Sequence, residues 1–368
     1  MRLVRAALLA LVASFVVASC QVVGGPAGNT NGATASQGRV AWPKDGDLWI
    51  YDLNSKQQQK LTNLPGGAAV TGASWSPDGK RIVYSQFWRR PNERASGADL
   101  FISNADGSNP QIFAERDAPN GVVESPEWSQ GGRIYYSVRH TQAGRESLQV
   151  VRQAEGGQPE VLIDGGYNPT VSPDESALIY LRNTRAGQAM MKKTLAQPGE
   201  GCELMSDQVF QYLSQPRISP DGTKVALGGS GEPNMQPSGC AGANSGQPSA
   251  GAALTPDPSP RGRGETALSP DPSPRGRGEA LVDLARMLEP AVAYAHGLPA
   301  DVYTLNLDGS GLTRVADIKD DDPTVAWSPD GSKLAIFGIG ALYMVDSKGG
   351  PPTKLVEQGG YGGLDWTR

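Results

Sequence analysis

Histidine and cysteine are scarce, with two and three copies in 368 residues. Imidazole and thiolate are the usual ligands of zinc and iron, so no cofactor or metal centre of that kind is expected. Charge is thin as well: 19% of residues are Asp, Glu, Lys or Arg, the net charge is −5, and the basic residues form no single block. That composition excludes a polybasic nucleic-acid binder. No Gly-x-Ser-x-Gly elbow occurs, which removes the nucleophile of an α/β hydrolase. What the chain has instead is turn chemistry, 47 glycines and 29 prolines, more than a compact helical protein carries. The apolar residues fall in short runs, a pattern of many strands rather than of long helices.

The amino terminus reads as an address. Arg2 and Arg5 precede an apolar run over 6–18, and Val17-Ala18-Ser19-Cys20 follows. Positive charge, a short apolar stretch and small residues make a secretory signal over 1–19. The last four residues resemble the lipobox of bacterial lipoproteins. The resemblance implies that Cys20 becomes the first mature residue and carries a diacylglycerol thioether, anchoring the protein to a membrane. Two other readings stay open. One is an uncleaved anchor, for which the run falls short of the roughly twenty residues of a bilayer crossing. The other is an ordinary signal with an unmodified cysteine. Residues 20–38, small and polar after the cysteine, form a flexible tether.

A repeat organises the rest. Trp75-Ser76-Pro77-Asp78-Gly79-Lys80 returns as Trp327-Ser328-Pro329-Asp330-Gly331-Ser332. Weaker copies begin at Ile218, Val171 and Trp128, and Leu364-Asp365-Trp366 is a partial sixth. From Trp75 onward the steps are 53, 43, 47, 109 and 39 residues, one of them inflated and the others near a propeller blade's period. Each copy ends a short strand, turns on Ser-Pro-Asp-Gly and enters a second strand; Asp-Gly turns mark the return to a fourth. The first unit, 39–62, lacks an innermost strand, and the last segment, 361–366, is an innermost strand with nothing after it. Joined, they complete one blade. The expected fold is all-β, a six-bladed β-propeller of four-stranded antiparallel blades over 39–368, its ring closed by joining the N- and C-terminal strands.

The WSPDGK pattern with its following strands resembles the WD40-like repeat of the TolB family, and similar repeats form the propellers of prolyl oligopeptidase-type peptidases. The resemblance implies fold and says little of function. The residues before the first strand are too few for TolB's separate α/β domain, so a Tol–Pal role is not expected to carry over.

Blade five is interrupted over 230–298. Within it the twelve residues from Leu254 recur from Leu268 with eleven identities, while the blades share only a skeleton. Such a Pro/Gly-rich duplication reads as a disordered surface insertion, with a short helix expected over 280–288. Cys202 and Cys240 are left after Cys20, either as a disulfide or as two thiols.

His140 and His296 are expected in loops, as solvated side chains. Asp320, Asp321 and Asp322 lack the spacing of a calcium loop and are expected as a solvated loop. In a propeller meander the loops between strands two and three share a face with the entries to the innermost strands. Those loops carry Arg89, Arg90, Arg94, Arg139, Arg145, Arg182 and Arg185, with Glu93 and Glu146 as opposing acids. Asp320, Asp321 and Asp322 join them on the acidic side. Phe87 and Trp88 are expected in the same loop as Arg89 and Arg90, an aromatic–arginine anchor for a partner. Glu124, Glu127, Asn168, Arg217 and Asp365 are polar residues of innermost strands, expected along the channel. The expected function is a non-catalytic, lipid-anchored, extracytoplasmic propeller that binds a protein or peptide of the cell envelope. A carbohydrate or cell-wall ligand is the alternative, and a channel-sited metal-dependent enzyme the third reading.

Overall fold

Ser76 shows how the repeat folds. Its hydroxyl donates to Asp78 (2.7 Å) and accepts the Arg81 N–H (2.9 Å), while Asp78 accepts the Lys80 N–H at 3.1 Å. Pro77 presets its own φ, and Gly79 takes φ +64°, a left-handed conformation that glycine adopts at little cost. The Ser–Asp pair recurs at Ser172–Asp174, Ser219–Asp221 and Ser328–Asp330. These hydrogen bonds hold the aspartates low, Asp174 at about 2, chiefly through the Ser172 hydroxyl. Two copies are degenerate in complementary ways. The third-sheet turn, Ser129-Gln130-Gly131-Gly132, has no aspartate, and the fourth has Glu175 where glycine is usual, at φ +53°. Glu175 reaches back to supply the missing carboxylate to Ser129 and Arg133.

The computed structural model describes residues 38–142, 145–234, 239–242 and 298–367. The expected signal, lipidated Cys20 and tether, His296, and the duplicated segment with its expected helix lie outside these residues. Twenty-five strands are found among the described residues. In chain order they are β1 (Arg39–Lys44), β2 (Asp47–Asp52), β3 (Gln57–Lys60); β4 (Ala69–Trp75), β5 (Arg81–Trp88), β6 (Gly97–Asn104), β7 (Gln111–Ala114); and β8 (Val122–Trp128), β9 (Arg133–Gln142), β10 (Arg145–Ala154), β11 (Glu160–Asp164). Then come β12 (Tyr167–Val171), β13 (Ala177–Asn183), β14 (Gln188–Thr194), β15 (Cys202–Met205); β16 (Tyr212–Leu213), β17 (Arg217–Ile218), β18 (Lys224–Ser230), β19 (Pro299–Asn306), β20 (Thr313–Asp321); β21 (Thr324–Trp327), β22 (Lys333–Phe337), β23 (Leu342–Asp346), β24 (Thr353–Val356); and β25 (Asp365–Thr367).

Consecutive strands pair antiparallel within each group, and a single parallel pair, Ala98 with Val122, links the second group to the third. In the fifth group β16 and β17 both pair with β18 and together form its innermost edge. The last strand, β25, pairs with β1, Trp366 opposite Val40 and Asp365 opposite Ala41, so the first and last described strands share one four-stranded sheet.

Side chains alternate across each strand, and this sends neighbours to different cores. Ile82 packs toward the first sheet with Val70, Leu48 and Ile50. Val83, next in line, packs toward the third with Trp128, Ile134 and Tyr136. Equivalent clusters join the third and fourth sheets, the fourth and fifth, and the fifth and sixth. Another joins the sixth to the first through Phe337, Leu342, Val40 and Trp366. The repeated tryptophans Trp75, Trp128, Trp327 and Trp366 are all buried in these seams.

Candidate functional site

The seven arginines expected in the strand-two-to-three loops divide by what they meet, and three of them are not in loops. Arg139, Arg145 and Arg182 lie on β9, β10 and β13, because those hairpin strands pair almost to their turns, while Arg89, Arg90, Arg94 and Arg185 lie between strands. Asp99, in β6 and fully buried, accepts from Arg90 (2.6 Å), Arg116 (2.6 Å) and the Trp88 indole N–H (2.7 Å). Arg116 also donates to Glu93 at 2.6 Å. Arg139 is bound to Glu124 at 2.7 Å, and that carboxylate raises its pKa further. Arg182 donates to Glu200 at 2.6 Å. Arg90, Arg139 and Arg182 are thereby neutralised. Arg89, Arg94, Arg145 and Arg185 are exposed and make no ion pair among the described residues.

Further expectations need correction. Phe87 and Trp88 are the last residues of β5 and not a loop: Phe87 is 5% exposed, and Trp88 is half-buried with its N–H spent on Asp99. The strand runs on because Phe87 and Trp88 pair with Ala98 and Gly97 of β6. Nor is the acidic run simply solvated. Asp320 is buried and accepts the Gly340 N–H (3.0 Å), and Asp321 accepts the Tyr361 hydroxyl (2.8 Å). Asp322, between β20 and β21, lies close enough to Tyr212 to raise that phenol's pKa, after burial, the larger cause. His140, expected in a solvated loop, is instead within β9, paired with Ser147 of β10, and its ring faces Asp117 at 2.9 Å. Cys202 of β15 is disulfide-bonded to Cys240.

A second site is built from one column of the repeat, the residue just before each repeated aromatic or aliphatic position. In chain order that column reads Ser74, Glu127, Thr170, Arg217, Ala326 and Asp365. At four of the six positions the backbone N–H that follows is accepted by the preceding sheet's column side chain. Trp75 N–H donates to Asp365 (2.8 Å), Trp128 to Ser74 (3.0 Å), Val171 to Glu127 (2.8 Å) and Ile218 to Thr170 (3.0 Å). These bonds stitch neighbouring sheets at their innermost edges. The stitch stops at Arg217, which carries only donors, and at Ala326, which carries none. There Trp327 binds through its indole N–H to the Arg217 carbonyl (2.9 Å), and the Trp366 N–H turns to its neighbour Asp365 (2.8 Å).

All of the column but Thr170 lines a cavity of about 620 Å³ walled by the Ser-Pro-Asp-Gly turns. Glu127, Arg217 and Asp365 line it; Glu124 and Asn168 do not, and bind instead to Arg139 and to Ser125 (2.7 Å). Arg217 donates to Glu127 (3.4 Å) and, with the Gln215 amide oxygen turned toward it, to Gln215 (2.7 Å). Burial pushes the Glu127 carboxyl up to about 7 against the pull of Arg217, and raises Asp365 for the same reason. Ser74, Thr170 and Gln215 escaped the sequence reading, which sought charged residues. Aligning the column before the repeated aromatic would have found the first two.

No family model matches the chain. Among solved structures, TolB from Acinetobacter baumannii superposes with a TM-score of 0.56 at 12% identity, covering 90% of this chain and 67% of that one. A putative TolB from Agrobacterium tumefaciens gives 0.54 at 14% identity, over 90% and 99% of the two chains. A nidogen/laminin complex gives 0.53 at 9% identity, over 90% and 98%. Likeness at such identities establishes a fold, here the β-propeller.

Proposed function

We propose that this TolB-like β-propeller is a non-catalytic, lipid-anchored extracytoplasmic protein that holds a protein or peptide of the bacterial cell envelope. In this reading the sheets are six blades of a ring that β1 and β25 close, Cys20 carries the lipid, and residues 20–38 are the leash. The partner sits on Arg89, Arg94, Arg145 and Arg185 and presents carboxylates to them.

One observation carries the reading. Three of the seven arginines are neutralised by neighbouring carboxylates, and the four left exposed lie in or beside the strand-two-to-three loops of three successive sheets. Meander topology puts those loops on one face. A field of one sign steers and orients a partner of the other, and guanidinium suits carboxylate recognition. The glycan alternative loses its best support with Trp88, whose indole is engaged by Asp99 and packs edge-on to Phe101.

The test is affinity capture from a cell-envelope extract by the soluble chain from Gln21 onward, beside a variant with the four exposed arginines changed to Glu. A protein held by the parent and lost by the variant supports the reading. Equal retention removes the arginine face from it.

A further inference from the structure

The cavity opens on the opposite face, among the Ser-Pro-Asp-Gly turns, and its charge is the reverse of the arginine face. Asp78, Glu127 and Asp365 are its acidic lining residues and Arg217 its one basic residue. Asp78, at the rim, is kept ionised by the Ser76 hydroxyl and the Lys80 N–H. At the floor two carboxylates share a single guanidinium. Glu127 keeps 16% of its side-chain surface and Arg217 9%, so the floor is recessed yet reachable.

Recessed carboxylates that outnumber their cations must take up a proton or a cation. Burial raises both floor carboxyls and so favours the proton there. A ligand cation is the other answer. The walls suit one borne on a hydrocarbon stem, because Pro77, Pro173 and Pro220 stand around the opening. A bare metal ion fits less well. Glu127 and Asp365 already accept hydrogen bonds from Val171, Thr170, Trp75 and Ser74. Among the described residues no three His, Cys, Asp or Glu side chains come together as a metal-ligating group.

We propose that this funnel takes up a basic side chain, a lysine of a peptide, with its ammonium seated at Glu127 and Asp365 and its methylenes against the turn prolines. The site is separate from the arginine face and stands or falls independently of it. The ammonium replaces the missing countercharge, and the charge-assisted hydrogen bonds it makes at the floor are of the strong kind.

The experiment is calorimetric titration of the soluble chain with acetyl-Gly-Gly-Lys-Gly-Gly-amide, with the same peptide carrying acetyl-lysine, with its glutamate counterpart, and with calcium chloride. Binding of the lysine peptide alone is the expected result. Glu127→Gln and Asp365→Asn should each weaken it by about tenfold or more, the loss of one hydrogen bond to a charged group. The four-arginine variant should bind it as the parent does. The acetyl-lysine comparison needs no variant and so survives any folding defect at Asp365. Equal binding of lysine and acetyl-lysine peptides, or binding of neither, overturns the proposal. Calcium binding without lysine-peptide binding overturns it in favour of a metal cation.

Discussion

Glu175 stands in the turn of the fourth sheet and completes the turn of the third, accepting from Ser129 while Arg133 and Tyr135 (3.2 Å) share its other oxygen. Each of the two turns lacks one element of the repeat, and the same carboxylate accounts for both departures. Glu175→Gly would relieve a left-handed backbone, worth up to about 1 kcal/mol. It would also strip acceptors from three donors, at about 1–3 kcal/mol for a buried group left unsatisfied. The variant should therefore be the less stable by urea unfolding. A gain in stability would show that the cross-sheet contact contributes little.

The stitch along the innermost strands predicts opposite effects at two small residues. Ser74→Ala strands the Trp128 N–H and removes a donor to Asp365, costing about 1–3 kcal/mol. Ala326→Ser offers the acceptor that the column lacks there and should raise the melting temperature, by a contribution of about 0.5–1.5 kcal/mol. Calorimetric melting of both variants checks the pair.

Glu127 gives the fold a pH dependence whose sign follows from its raised pKa. Its ordinary value is 4.5 and its folded value about 7. Between these the unfolded chain has released the proton and the folded chain still holds it, so stability falls as pH rises through that window. Glu127→Gln should flatten this part of the profile in urea titrations across the same range. An unchanged slope would place its origin elsewhere.

Asp99 is the single anion on which Trp88, Arg90 and Arg116 converge. Asp99→Asn leaves the fully buried Arg116 without its full partner. Breaking such a pair costs about 3–5 kcal/mol, and the loop bearing Arg89 and Arg94 should then exchange its amide hydrogens faster. Unchanged exchange there would mean that the loop is held by other contacts.

The sheets were legible because the full repeat turns, at Ser76, Ser219 and Ser328, announce themselves through local chemistry: serine, proline, aspartate and glycine act within five residues of one another. The pairing of β25 with β1 was legible for a different reason, since each end of the chain is the part of a blade that the other lacks. The arginine loops were not so readable. Counting acids within those loops found Glu93 and Glu146, but Arg139 is neutralised by Glu124 on an innermost strand and Arg182 by Glu200 beyond the next strand. Phe87 and Trp88 were misplaced because nothing local marks the end of β5. Its length is set by pairing with β6. Ser74 and Thr170 went unnoticed because a hydroxyl becomes informative only once the column is aligned from sheet to sheet.

The most direct measurement of the binding account is site-specific photo-crosslinking in intact cells, with a benzoyl-phenylalanine placed at Arg145 or, as a control, at Gln58 on the exposed outer strand β3. The account predicts a discrete protein adduct from position 145, lost when Arg89, Arg94 and Arg185 are changed to Glu, and none from position 58. Adducts from position 58 alone, or an adduct from 145 indifferent to the other three arginines, would contradict it.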